Sequence, residues 1–271
     1  MTYRTILIHL ADDEQARTRL ELAKGLAARF DAALTVLHVT LPPFIPASLG
    51  EGAAYAGPEI YEAQRVAAAE VTERMKALYR DVCEPLTVPA SWRHEQGDPG
   101  TVVARLARTV DLTVLVQDTQ GGPDLLGPSV LEQAALTAGG PVLMVPSGWS
   151  GSTVGQRVVV GWNGGREAAR ALKDALPFLA AAEGVALATF GEIPGVDDLV
   201  AMLDRHGVRA EPARREESPD VGGALLGLAA ARRADLLVMG AYGHSRLREI
   251  VLGGATRGVL AEASLPVLLS C

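Results

Sequence analysis

The segment Ala234-Asp-Leu-Leu-Val-Met-Gly-Ala-Tyr-Gly-His-Ser-Arg-Leu-Arg-Glu-Ile-Val-Leu-Gly-Gly-Ala-Thr256 carries the strongest structural signals in this chain. Its apolar run, residues 235–239, predicts a buried strand, and residues 256–263 predict a helix. Glycines at a strand exit let the backbone turn its N–H groups inward, and a helix N-terminus offers further unpaired N–H groups with a favourable dipole. The segment therefore predicts a phosphate-binding cradle between a strand and a helix.

The composition favours a globular protein built on parallel sheets. A length of 271 residues suggests one large domain or two of ordinary size. Hydrophobic residues make up 48% but aromatic residues only 4%, so Ala, Val and Leu dominate, which suits parallel sheets covered by helices. A net charge of −7 without a run of Lys and Arg argues against a nucleic-acid partner. Without an apolar stretch of about 20 residues or a cleavable leader, we expect a cytoplasmic protein with no membrane partner.

The chain contains two unequal copies of one unit. Three sequence blocks recur in the same order, at an offset of 153 residues for the first block and of 124 and 125 residues for the others. The drop in offset places a deletion of about 29 residues in the second copy, between its first and fourth strands. The matched blocks are Arg4–Leu10 with Arg157–Asn163, Val110–Val116 with Ala234–Gly240, and Pro141–Val145 with Pro266–Ser270.

Each copy alternates strands and helices, which predicts an α/β fold with a parallel sheet and right-handed crossovers. We predict two domains, residues 1–147 and 156–271, and a break at Pro177 in an otherwise good helix. The predicted strands lie near 4–9, 33–39, 86–93, 112–117, 141–145, 157–162, 185–190, 208–214, 235–239 and 266–270. The predicted helices lie near 13–29, 58–80, 98–109, 125–138, 165–182, 196–206, 219–232 and 254–263.

The spacing G-x2-G-x9-G, from Gly240 through Gly243 to Gly253, resembles the nucleotide signature of the ATP-binding branch of the universal stress protein family. The whole chain resembles tandem members of that family. The resemblance implies two Rossmann-like, open five-stranded parallel sheets of order 3-2-1-4-5, packed as a pseudo-dimer through their last strands. It also implies ATP, with or without Mg, as the ligand. One departure is Gly254, because the family's ATP binders usually carry Ser or Thr at that position.

Ligands of open parallel sheets bind beyond the carboxyl ends of the strands where the strand order reverses, here strands 1 and 4. Both exits are glycine-rich in the second copy. The resemblance implies that the glycines bind phosphate through the backbone, that Thr256 adds a hydroxyl, and that Phe190 packs beside adenine. Asn163 stands where the family usually has Asp, near adenine and ribose. The candidate ligand-binding residues are Gly161, Trp162, Asn163, Phe190, Gly240, Gly243, Gly253, Gly254, Ala255 and Thr256.

Each of these residues also has a purely structural interpretation. The glycines could serve turns and packing, Thr256 could cap a helix, and Trp162 could pack in the core. The first copy lacks the motif, so we expect it not to bind ATP in the family manner. Our alignment places Gln117 and Gln120 opposite Gly240 and Gly243, Pro128 and Ser129 opposite Gly253 and Gly254, and Ala11 opposite Asn163.

Two functions from different classes fit these observations. The first is a regulatory module of the stress response that binds an adenine nucleotide in its C-terminal domain, with weak ATP hydrolysis at most, no catalytic residue and no metal ligand. The second is a stress interaction protein without nucleotide affinity that acts through its pseudo-dimer surface, alone or as a homodimer. The motif glycines and Thr256 favour the first function, whereas Gly254 and Asn163 favour the second. The loop 41–57 could be a lid, a partner contact or disordered.

Overall fold

The computed structural model describes residues 2–45, 53–84, 89–117, 129–241 and 254–271. Gly243, Gly253, Gln120, Pro128 and part of the loop 41–57 lie outside the described residues. The strands are β1 (Thr5–His9), β2 (Ala33–Thr40), β3 (Ala90–Gln96), β4 (Leu112–Val116), β5 (Val142–Val145), β6 (Arg157–Gly161), β7 (Gly184–Phe190), β8 (Ala210–Arg215), β9 (Leu236–Gly240) and β10 (Val267–Ser270). The helices are α1 (Ala16–Phe30), α2 (Ala53–Cys83), α3 (Pro99–Ala107), α4 (Val130–Thr137), α5 (Arg166–Asp174), α6 (Leu176–Leu179), α7 (Val196–Arg205), α8 (Val221–Ala231) and α9 (Gly254–Glu262).

The strands form a single sheet of order β3-β2-β1-β4-β5-β10-β9-β6-β7-β8. Strands β1–β5, the first half, and β6–β10, the second half, each have the predicted order 3-2-1-4-5 with parallel pairing. The halves join through an antiparallel pair, β5 with β10, in which Leu143 lies opposite Leu268. The predicted α/β fold is confirmed, with the two five-stranded sheets fused at their last strands.

Helices cover both faces of the sheet, because successive side chains of the central strands are apolar and point to opposite faces. One face packs against α1, α2, α5, α6 and α7. The other face packs against α3, α4, α8 and α9. No helix in the described part of the chain is both long and apolar enough to cross a bilayer.

The strand register corrects the alignment of the two copies. The Asp111 carboxylate accepts the backbone N–H groups of Arg4 and Thr5 at 2.8 and 2.9 Å. The Asp235 carboxylate accepts those of Gln156 and Arg157 at 3.0 and 2.8 Å. Thr5, not Arg4, therefore corresponds to Arg157, and the offset of the first block is 152 residues rather than 153. A slip of one residue would have reversed the faces of every side chain in the strand.

The same correction applies to the end of strand β4. The backbone N–H of Gln117 donates to Val145, as that of Ala241 donates to Ser270, both at 2.8 Å. The prediction that Gln117 stands opposite Gly240 is therefore wrong, because Gln117 corresponds to Ala241. Val116 occupies the place of Gly240, so the first half still lacks a glycine there.

The predicted break at Pro177 is confirmed. Helix α5 ends at Asp174, and a separate short helix, α6, begins at Leu176 with the proline in its first turn. Proline is tolerated there because the first N–H groups of a helix have no partner within it. The break buries Phe178 between the halves, where its ring lies 5.1 Å from that of Phe30 and 5.7 Å from that of Tyr3.

Helix α2 is longer than predicted. It spans Ala53–Cys83 with Pro58 inside it, whereas we expected a start at the proline. The residues before Pro58 include three alanines, which are the strongest helix formers. The second half has only the ten-residue α7 between the corresponding strands, so the deleted material lies in this crossover.

Candidate functional site

A cavity of about 330 Å³ lies at the carboxyl edge of the second half, between β6 and β9. This is the crevice at which the strand order reverses. Eight of the ten candidate residues line it, and the other two, Gly243 and Gly253, lie outside the described residues. The structure therefore brings together every candidate residue that it describes. The lining consists of Gly161, Trp162, Asn163, Glu167, Ala168, Phe190, Val221, Leu225, Met239, Gly240, Gly254, Ala255 and Thr256.

The polar end of this second-half cavity is the N-terminus of α9. The first N–H groups of a helix have no acceptor within it, and their dipoles favour an anion. The first turn of α9 contains no acidic residue, and the exposed Arg257 adds a positive charge. Thr256 is 5% exposed, and its hydroxyl has no hydrogen bond within the described residues. A hydroxyl that borders a cavity and has no partner among the described residues is suited to a ligand.

Part of the cavity wall is apolar. Phe190 at the end of β7, Val221 and Leu225 of α8, and Met239 of β9 form this part. Leu225 and Met239 are buried, whereas Phe190 is half-buried and packs against the core of that face. An apolar wall combined with a polar, positively polarised helix end is the usual composition of a site for a small organic anion.

Gly240 has a packing role that is independent of any ligand. A Cβ atom at this position would lie 2.5 Å from the backbone nitrogen of Ala168 and 2.5 Å from the carbonyl carbon of Glu167. The glycine thus allows β9 to approach the first turn of α5. By contrast, a Cβ at Gly254 would have no atom of the described residues within 4 Å, so these residues leave room for a side chain there.

Two candidate residues of the loop after β6 are occupied by internal contacts. The Asn163 side-chain oxygen accepts the N–H of Gly165 at 2.9 Å, and Gly164 completes the turn with a φ of +74°. Trp162 packs against the core on the opposite face, and its indole N–H is buried without a partner among the described residues. The side chain of Trp162 thus packs in the core and also borders the cavity.

Sequence reasoning missed Glu167. This residue lies in the first turn of α5, its side chain is 13% exposed, and it borders the cavity. Its one ion pair, to the exposed Arg166, is long at 3.4 Å. The sequence offers one signal for it: Glu167 lies four residues after Asn163, at the start of a predicted helix. Because Asn163 is uncharged, Glu167 supplies a carboxylate on the same side of the cavity.

The corresponding edge of the first half has different chemistry. Its cavity, of about 390 Å³, is bordered by His9, Gln117 and Leu131. Leu131 lies two residues after Ser129, as Thr256 lies two after Gly254, so a leucine replaces the threonine hydroxyl. The N-terminus of α4 is closed by a capping box, in which Ser129 and Glu132 each accept the other's backbone N–H at 3.1 Å. The cap and its carboxylate neutralise this helix end, which disfavours an anion there.

The loop after β1 in the first half is held by an ion pair whose guanidinium is buried. Arg19 is 1% exposed and binds both carboxylate oxygens of Asp13, at 2.7 and 2.6 Å. Asp13 also accepts the N–H of Gln15 at 2.9 Å. The equivalent loops border the cavity in both halves, but only the first-half loop is fixed by an ion pair of this kind among the described residues.

His9 makes the stability of the first half depend on pH. Burial, with His38 and Arg19 nearby, lowers its pKa to about 4 from the ordinary 6.5, although Asp13 opposes the shift. The unfolded chain therefore binds more protons between these values, so stability falls as the pH decreases. We expect the protonation of His9 alone to lower the free energy of unfolding by about 2 kcal/mol between about pH 7.5 and pH 5.

Urea unfolding at both pH values measures this loss of stability. The loss should be smaller in His9→Gln than in the wild type, and it should be unchanged in His206→Gln, a substitution at an exposed site. Equal losses in the wild type and His9→Gln would contradict this assignment.

The sequence model of the universal stress protein family matches residues 2–146 and 196–270, which together make up most of the chain. The chain belongs to the universal stress protein family. The unmatched segment, 147–195, contains β6 and β7. Four of the candidate residues, Gly161, Trp162, Asn163 and Phe190, lie in this segment, so part of the cavity lies outside the residues that the family model matches.

Relatives of known structure show the same architecture over the whole chain. A universal stress protein from Archaeoglobus fulgidus DSM 4304 has a TM-score of 0.71 at 17% identity, covering 98% of this chain and 95% of its own. A functionally unknown protein from Pseudomonas aeruginosa PAO1 has a TM-score of 0.56 at 17% identity, covering 99% and 92%. A Synechocystis universal stress protein is 59% identical over 34 residues, 12% of each chain. These similarities show the tandem fold. The identity of a ligand has to be inferred from the residues of the site.

Proposed function

We propose that this universal stress protein binds one adenine nucleotide, ATP, in the second-half cavity, and that binding rather than turnover is its output. The observation that carries the proposal is the N-terminus of α9. This helix end opens into the cavity, its first turn has no acidic residue, and the Thr256 hydroxyl beside it has no partner among the described residues. In this proposal the phosphates lie against the backbone N–H groups of Gly254 and Ala255.

The rest of the cavity then accommodates the nucleoside. The adenine lies against Phe190, Leu225 and Met239, which offer the apolar wall that a planar base requires. Glu167 carries a negative charge, so it would repel phosphate and is suited to accept hydrogen bonds from the ribose hydroxyls. Arg257, at the other end, is placed to attract the polyphosphate, and bound Mg would complete its neutralisation.

The first half contributes no nucleotide site in this proposal. Leu131 offers no hydroxyl, and the capping box of Ser129 and Glu132 satisfies the helix end that would receive phosphate. Val116 replaces the glycine equivalent to Gly240. We infer that this half serves as a structural partner that completes the sheet.

We expect Thr256→Val to separate ligand binding from stability. Valine has nearly the same shape, and the hydroxyl that it removes has no partner within the described residues. The free energy of unfolding should therefore change by less than about 0.5 kcal/mol. A lost hydrogen bond to a charged phosphate should raise the Kd for Mg-ATP about tenfold or more in calorimetry. The control is Thr137→Val, the same substitution in α4, which should leave the Kd unchanged. An unaltered Kd in Thr256→Val would mean that the phosphates bind elsewhere.

The alternative is an interaction protein whose nucleotide affinity has been lost. The packing role of Gly240 and the internal hydrogen bond of Asn163 favour it, because both features persist without a ligand. The two proposals differ in one measurable respect, the saturable binding of Mg-ATP by the wild type.

A further inference from the structure

Gln117, at the end of β4 in the first half, reaches across to the second half. Its side-chain amide donates to the carbonyl oxygens of Leu260 and Ala261 at 2.7 and 3.2 Å. Its side-chain oxygen accepts the N–H of Ser147 at 3.3 Å. Gln117 is only 6% exposed, so water cannot readily replace these bonds. The amide group of Gln117 thus makes three hydrogen bonds at the junction of the halves, two as a donor and one as an acceptor.

The two carbonyl groups belong to the last turn of α9. The backbone ladder of this helix closes with the bond from Ala263 N–H to Val259, and the helix ends at Glu262. The carbonyls of Leu260 and Ala261 therefore lack the N–H partners that a longer helix would give them. No basic residue of α9 lies in its last turn. Gln117 caps the helix from outside.

The two halves end their last helices with different residues. The residue equivalent to Gln117 in the second half is Ala241, whose side chain has no donor for the C-terminus of α4. That end of α4 is contacted instead by Arg108 of its own half, which donates to the Thr137 carbonyl at 3.3 Å, and by Arg170 of the second half, which donates to the carbonyl of Gly139 just beyond the helix. Bonds across the halves thus end more than one helix, since Tyr3 also donates to the last carbonyl of α5. The bond from Gln117 ends α9, the helix whose other end borders the second-half cavity.

Helix α9 is held at both ends. Near its start, a Cβ at Gly222 of α8 would lie 2.8 Å from the carbonyl oxygen of Ala255, so the two helices are in backbone contact. At its end, Gln117 binds the free carbonyls of Leu260 and Ala261. The helix is nine residues long, so its ends are about 13 Å apart, and a displacement of either end moves the whole rod. Binding through backbone N–H groups tolerates only about 0.5 Å of misplacement.

We propose that Gln117 is a positioning residue for the second-half site: by capping α9 from the first half, it sets where the phosphate-binding end of that helix lies. This inference rests on the proposed function. It makes the first half a working part of the nucleotide site, although that half contributes no residue that touches the ligand.

The test compares Mg-ATP affinity in four proteins by calorimetry, at a temperature where circular dichroism shows each to be folded. Gln117→Met removes both donors and keeps an unbranched side chain, and Gln117→Leu serves in its place should that variant not fold. Gln117→Lys restores an N–H donor with a charge that suits a helix C-terminus. Val103→Ala is the control, because it weakens the core of α3, which packs against α4, β1 and β2.

We expect Gln117→Met to raise the Kd between about threefold and thirtyfold. Amide hydrogen exchange should quicken across α9. Gln117→Lys should recover an affinity near that of the wild type, and Val103→Ala should lower the melting temperature without changing the Kd. Equal affinity of the wild type and Gln117→Met would overturn the positioning role while leaving the proposed function intact. Equal weakening in Val103→Ala would also overturn it, since the effect would then follow stability alone. If the wild type itself does not bind Mg-ATP, the proposed function fails, and this inference fails with it.

Discussion

Gly254→Asp should abolish ATP binding while leaving the fold intact or slightly more stable. A Cβ at this position has no atom within 4 Å in the described part of the chain, so none of these residues obstructs the new side chain. A carboxylate at a helix N-terminus stabilises the helix by about 0.3–1 kcal/mol. The same charge would stand where the phosphates are proposed to lie, and two like charges about 4 Å apart repel by about 4 kcal/mol near a protein surface. We therefore expect the Kd for Mg-ATP to rise at least about 100-fold.

Two substitutions at the same position provide the controls. Gly254→Asn has the shape of aspartate without its charge and should weaken binding far less. Gly254→Ser restores a residue type that the family's ATP binders usually carry, so it should bind at least as tightly as the wild type. Calorimetry gives the affinities, and thermal unfolding gives the stabilities. Wild-type affinity in Gly254→Asp would exclude the start of α9 as the phosphate site.

Asp13→Ala should be among the most destabilising single changes in the first half. It leaves the guanidinium of Arg19, which is 1% exposed, without a counter-charge. Removal of one partner of a buried pair costs about 3–5 kcal/mol. We expect the lower end, about 3 kcal/mol in urea unfolding, because Asp13 is 36% exposed and water can partly replace it.

The neighbouring residue is a matched control. Asp12 pairs with Arg74 at 2.7 Å, with side chains 38% and 55% exposed, so Asp12→Ala should cost less than about 1 kcal/mol. The double variant Asp13→Ala with Arg19→Met should recover most of the loss, because methionine leaves no buried charge. If Asp13→Ala is no more harmful than Asp12→Ala, the first-half loop is not held by this pair.

The sequence predicted the elements because their signals are local or periodic, whereas the sheet order came from the resemblance to the family. Alternating strand and helix patterns, the glycines at strand exits and Pro177 each act within a few residues. The strand register was misjudged by one residue, because Arg4 and Arg157 suggest an alignment that the caps of Asp111 and Asp235 exclude. Helix α2 was predicted too short, because Pro58 indicated a helix start and the alanines before it were given too little weight.

The part of the candidate site that lies directly after the strands could be predicted from the sequence. The exits of β6 and β9 converge because parallel strands place their carboxyl ends at one edge. The packing role of Gly240 could not be inferred, since it depends on how closely the first turn of α5 approaches. The position of Glu167 at the cavity could not be predicted either, because it depends on which side of α5 faces the cavity. The bond of Gln117 to Leu260 spans 143 residues and depends on the antiparallel junction of β5 and β10, which no local pattern specifies.

The most direct test of the account is the stoichiometry of Mg-ATP binding to the purified full-length chain, freed of bound ligand, by calorimetric titration. We predict saturable binding at one site per chain, lost in Gly254→Asp. Two sites per chain would contradict the assignment of the first half as a structural partner. No binding at millimolar ATP would contradict the nucleotide site altogether and favour the interaction protein.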